Sequence, residues 1–136
     1  MTSVDQLLET ALFGKLAGYA PLISELGGTL IFNQLAPPDT ALPYVIFQYQ
    51  GGGDENLISR RMINTPYTVK AVAASKAKAH SINEDIDAAL HMQTLTVSGY
   101  TNFWTAREDR VSYHELESDG APVFHEGGVY RIRLGQ

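Results

Sequence analysis

Tyr67-Thr68-Val69-Lys70-Ala71-Val72-Ala73, joined through Ala74-Ser75 to the run Lys76–His91, decides the architecture of this chain. The first stretch alternates: Tyr67, Val69, Ala71 and Ala73 fall on one face, Thr68, Lys70 and Val72 on the other, the period of a β-strand. Ser75 or a neighbour then starts a helix, in which Ala79, Ile82, Ile86, Ala89 and Leu90 recur as one apolar stripe while Lys78, Asn83, Glu84 and Asp87 face water. Leu95-Thr96-Val97 resumes β-prone composition, so a strand–helix–strand unit is expected, with a strand over 93–97. A parallel crossover and a simple α+β return both fit its length.

Towards the N-terminus, Ser3 followed by Gln6 is a capping-box pattern, and Val4, Leu7, Leu8, Ala11 and Leu12 recur at helical spacing. Pro21 opens a second short turn or helix that stops at Gly27-Gly28. Thr29–Phe32 is β-prone. The segment Gln34–Thr40, with Pro37-Pro38, reads as an extended loop because prolines remove ladder donors. Leu42–Gln50 reads as a strand with Pro43 at its start, where a missing N–H does least harm. Gly51–Asn56 reads as a flexible polar loop.

Towards the C-terminus, Tyr100–Thr105 is a further strand after a turn at Ser98-Gly99. Asp109, Asp119-Gly120 and Pro122 mark a long irregular or hairpin region. Val129–Leu134 closes the chain as a strand, with Tyr130, Ile132 and Leu134 on one face and Val129, Arg131 and Arg133 on the other. The fold class expected is α+β: a mixed, mainly antiparallel sheet with two principal helices on one face, forming a single domain over residues 1–136.

Bulk properties agree with this expectation and narrow the function. The chain has 136 residues, 44% hydrophobic and 18% charged, which suits one globular domain. Cysteine is absent, so thiol catalysis, disulfides and thiolate metal sites are excluded. The start lacks a basic stretch leading into an apolar one, so no secretory signal is expected. The longest apolar runs, such as Leu42–Phe47, are far short of the ~20 residues that cross a bilayer, and no membrane association is expected. A net charge of −5 with scattered basic residues, Arg60-Arg61 being the only adjacent pair, argues against a phosphate-binding face.

Catalytic motifs are missing. Gly51-Gly52-Gly53 is followed by Asp54-Glu55 rather than the lysine and hydroxyl of a phosphate-binding loop. His114, Glu115, Glu117 and His125 can meet across a hairpin, but no His pair has helical ligand spacing, and His80 and His91 have no partner between them. Ser98-Gly99 lacks a nucleophile elbow. Carboxylate pairs such as Glu84/Asp85 and Glu115/Glu117 read as solvated faces. Trp104 suits a core, an interface or a ligand platform. Arg131 and Arg133 either pair with acidic groups of a neighbouring subunit or blunt an exposed sheet face. No enzyme, metal or cofactor is expected.

The order of these elements resembles the tail-terminator or tail-completion proteins of long-tailed bacteriophages. The residues that carry the resemblance are Leu42-Pro43-Tyr44-Val45 entering a strand, Tyr67–Ala73, the helix Ala77–Leu90 and the closing Gly128–Arg133. It implies a structural virion protein: a homohexameric ring that caps the tail tube, ends tail polymerisation and joins the tail to the head connector. Its partners would be further copies of itself, the tail tube protein and a connector or stopper protein. DNA would pass through without specific binding. Assembly would occur in the host cytoplasm, with the virion tail as destination. Loops Gly51–Arg61 and Arg107–Glu126 are the expected contact regions, with Asp54, Glu55, Arg60, Arg61, Trp104, Arg131 and Arg133 as candidate subunit or tube interface. Rival readings are a neck or stopper ring protein, or a small-molecule-binding α+β domain or hydrolase with a pocket near Trp104, His114 and His125.

Overall fold

Ser3 caps the first helix, α1 (Val4–Ala17), its Oγ accepting the Gln6 N–H at 3.1 Å. Pro21 sits in the first turn of the short α2 (Ala20–Leu26), and Gly27 ends it in the left-handed conformation, φ 80°. Ser75 caps α3 (Lys76–Leu90) by accepting the Lys78 N–H at 3.2 Å. These are expectations of the sequence met by local chemistry alone. The computed structural model that gives them describes residues 3–56 and 60–136.

The strands are β1 (Ile31–Asn33), β2 (Tyr44–Tyr49), β3 (Gly53–Asn56), β4 (Arg61–Ala73), β5 (Thr101–Leu116) and β6 (Pro122–Gly135). They form one sheet in the order β1-β2-β4-β6-β5, with β3 paired to β4. Only β1–β2 is parallel among these pairs; the rest are antiparallel. The fold is therefore α+β with a mixed, mainly antiparallel sheet.

Since β4 and β5 both run antiparallel to β6, they are parallel to each other with β6 between them. Helix α3 thus joins β4 to β5, rather than to the strand expected over 93–97, as a crossover whose gap is filled by the last strand. That strand is contributed from far along the chain, which is why local spacing left the choice open.

One large core lies on the helix face. Leu8, Leu12 and Leu16 of α1, Leu22 and Leu26 of α2, and Ile82, Ile86 and Leu90 of α3 pack on Tyr67, Val69, Tyr130 and Ile132. Each such aliphatic side chain, fully withdrawn from water, stabilises the fold by about 1.5–3 kcal/mol. A second, small cluster sits on the opposite face, where Ile46, Val72 and Val123 are covered by Ala36, Leu42 and Tyr44. The proline-containing segment after β1 thus serves as a partial lid on the sheet.

Two expectations are corrected. Gly51–Asn56 is not a flexible loop: Gly53–Asn56 is β3, continuing the edge that β2 leaves. Between Tyr49↔Tyr67 and Gly53↔Asn64, residues 50–52 stand opposite Thr65 and Pro66, so the edge carries one extra residue, a bulge. Gly52 is obligatory there, with φ 141° and no room for a Cβ beside the Asn64 carbonyl. Pro66 lies inside β4, a strand that sequence reasoning began only at Tyr67, and beside it Thr65 Oγ1 donates to Gly51 O at 2.8 Å.

Residues 93–97 form no strand. Leu95 donates its N–H to the buried Asn102 Oδ1 at 2.9 Å, and the side chains of Leu95 and Val97 plug the core. Asn102 is fully employed, since it also accepts from Thr105 Oγ1 and donates to the Trp104 and Arg133 carbonyls. Of the two alternatives for the region marked by Asp109, Asp119-Gly120 and Pro122, irregular or hairpin, the hairpin holds: β5 and β6 remain paired out to Leu116↔Pro122.

Where α2 meets α3, the Glu25 and Asp85 carboxyls lie close enough for a protonated Asp85 to make a hydrogen bond to Glu25. Desolvation and then Glu25 push the Asp85 carboxyl up to about 6, while that bond holds Glu25 below its usual range. A raised folded-state pKa favours folding below the unfolded value near 4, and the benefit is lost as pH rises through about 6. Asp85→Asn keeps a donor to Glu25 and removes the repulsion. The variant should melt above the parent at pH 7.5, by less than about 1 kcal/mol because solvent screens the pair. The difference should shrink at pH 4.5. Thermal melts at the two pH values check this, and an equal shift at both would contradict it.

Candidate interaction face

The alternation of β6 sends Arg131 and Arg133 to the sheet face that the helices do not cover. There they join a chain of bonds crossing four strands. Arg133 Nη2 donates to Glu55 Oε1 and Oε2 at 3.0 and 2.8 Å. Asn64 Nδ2 donates to Glu55 Oε1 at 2.9 Å, and Asn64 Oδ1 accepts from Arg131 Nη1 at 2.7 Å. Arg131 Nε then donates to Glu108 Oε2 at 2.7 Å. The Asn64 amide and the Arg133 guanidinium hold the Glu55 carboxyl below the usual range.

Beside this network stand two aromatic rings. Trp104 pairs with Arg133 across the β5–β6 ladder, and the Arg133 guanidinium lies 5.5 Å from the Phe103 ring centre. Both rings are exposed, Phe103 by 47% and Trp104 by 41%. A bulge between Asn102 and Trp104 turns Phe103 out of the regular alternation.

Among the sequence candidates, Glu55, Trp104, Arg131 and Arg133 are brought together. Asp54 lies nearby in β3, its carboxylate 3.7 Å from Arg61 Nε. Arg60 is exposed at the foot of β4. The middle of the Gly51–Arg61 contact region, residues 57–59, lies outside the described residues. Sequence reasoning missed Asn64, Phe103 and Glu108. Their only signal is cross-strand register, which one strand's alternation does not supply.

The residues weighed for chemistry are dispersed. His125 Nε2 and Glu115 Oε1 do meet across the hairpin at 2.6 Å, with the His125 ring stacked on Tyr113. Burial nevertheless keeps the imidazole below its usual pKa. His114 packs beside Phe124 instead, and no cluster of three or more His, Asp or Glu suited to a metal occurs among the described residues. Ser112 Oγ donates to Glu126 rather than to an imidazole. Trp104 pairs with Arg133 and His125 with Val72, at opposite ends of β6, so they line no common pocket.

The sheet face that the helices leave open is thus ordered by ion pairs and flanked by two exposed aromatic rings. The family model described as tail completion protein gp17 matches residues 10–132, and the chain belongs to that family. It is accordingly a structural component of phage-like virions, within the tail. The fold is shared with a chain in the solved virion of a native gene transfer agent particle, at TM-score 0.80, 18% identity and full coverage of both chains. A second solved chain matches at TM-score 0.61 and 14% identity, over 99% of this chain and 97% of that one. No curated protein matches in sequence.

Proposed function

We propose that the chain is a tail terminator: one domain, six copies of which form a ring that caps the tail tube, ends its polymerisation and receives the head connector. The observation that supports this reading is the face built from Glu55, Asn64, Arg131, Arg133, Phe103 and Trp104. Arginine and tryptophan are the residues that most often anchor protein interfaces. Here the ion pairs fix the face before any partner arrives, which lowers the cost of ordering it on docking.

In this reading one ring face imitates the next tube subunit, and the other lacks the surface that would recruit more tube. The net charge of −5 suits a channel through which DNA passes without being held. Assembly takes place in the host cytoplasm. The test is electron microscopy of particles made without this protein. Abnormally long, headless tails are the expected product. Tails of normal length that merely fail to join heads would replace termination by a neck or stopper role.

A further inference from the structure

The sheet ends in two unlike rims. On the β5 side, Met92, Phe103 and Trp104 are all exposed around a cavity of about 230 Å³ that Gln93 and Thr94 also line. On the β1 side, Phe13 of α1 is exposed at a cavity of about 330 Å³ floored by Phe47 and edged by Gln6 and Glu9. The charged groups at the two rims also differ: Arg133, already paired with Glu55, lies over Phe103 on the β5 side, whereas Asp5 and Glu9 stand on α1, Glu9 accepting from Asn33. The β5 edge is long and has β6 as its one strand neighbour, the kind of edge that proteins pair or cover.

We infer that a second copy of this chain docks its α1–β1 rim onto the β5 rim of the first, with Phe13 and Glu9 meeting Trp104, Phe103 and Arg133. This rests on the ring reading above and specifies which surfaces make the ring. The two rims lie at opposite ends of the sheet, so the contact is head-to-tail. A head-to-tail contact leaves one rim free on each copy and continues until a ring closes, whereas rim-to-like-rim contact stops at two.

The absence of cysteine gives a clean background for the test. Gln6→Cys and Gln93→Cys each replace an exposed side chain at one rim. With a short bis-maleimide linker, the double variant should give a ladder of covalent oligomers ending at the ring. A mixture of the two single variants should give dimers, and each single variant alone should remain monomeric on a denaturing gel. Trp104→Ala should weaken association by about tenfold or more with an unchanged melting temperature. Dimers from either single variant alone would overturn the inference in favour of a like-to-like contact. A ring seen by sedimentation but yielding no ladder would overturn it and leave the ring reading standing. A monomer at every concentration, without cross-links, would overturn both.

Discussion

Gly127→Ala should cost a large share of the stability of the protein. Gly127 lies in the middle of the β4–β6 ladder, opposite Lys70. A Cβ there would overlap the Val69 carbonyl oxygen and come within 2.5 Å of the Lys70 Cα. Both obstacles are backbone, so no rotamer relieves them, and the two central strands must separate locally. Overpacking of this kind costs roughly 3 kcal/mol or more, against a total stability of about 5–15 kcal/mol. Gly14→Ala is the matched control. It adds the same methyl group to an exposed turn of α1 with nothing within 4 Å, and should stabilise by up to about 1 kcal/mol. Opposite shifts in thermal melts are expected. A Gly127→Ala protein melting within a degree or two of the parent would refute the β4–β6 register.

The double charge reversal Arg131→Glu with Arg133→Glu should abolish the ring while leaving a folded subunit. It places two new carboxylates against Glu55 and Glu108, which the arginines now neutralise. These pairs are partly exposed, so the loss of subunit stability stays near 1 kcal/mol or below for each. The docking face is affected more, because its cations are gone and its remaining carboxylates repel one another. Light scattering should report monomers, and circular dichroism an intact fold. Adding Glu55→Arg and Glu108→Arg rebuilds the network with inverted polarity. Recovery of the ring would show that the arginines act by ordering their own face; continued loss would show that a partner reads their charge. An unchanged oligomer after the double reversal would remove this face from the assembly.

The residue patterns that were legible are those whose cause is local. Ser3 and Ser75 cap their helices from three residues away, Gly27 ends α2 by its own backbone freedom, and the apolar stripe of α3 needs no partner to be recognised. The order of these elements also carried the resemblance to tail-completion proteins, which the family match then established. Less legible was anything settled by a distant partner. Gly53–Asn56 has poor strand composition and becomes β3 because Arg61–Asn64 lies beside it. Leu95–Val97 has good strand composition and is denied a ladder because Asn102 takes the Leu95 N–H.

The same division runs through the candidate site. Arg131 and Arg133 were identifiable from the alternation of a single strand, since period 2 fixes which side chains share a face. Their partners were not, because Glu55, Asn64 and Glu108 come from three other strands whose register is set only when the sheet closes. By itself the sequence determined the capped starts of α1 and α3, the helix-facing sides of β4 and β6, and the lack of a catalytic motif. Tertiary structure decided the insertion of β6 between β4 and β5, the bulge at Gly52 and the bonded face around Arg131 and Arg133. The reason is that hydrogen bonds and ion pairs between strands depend on register, which many weak, long-range contacts fix together and no short stretch of residues encodes alone.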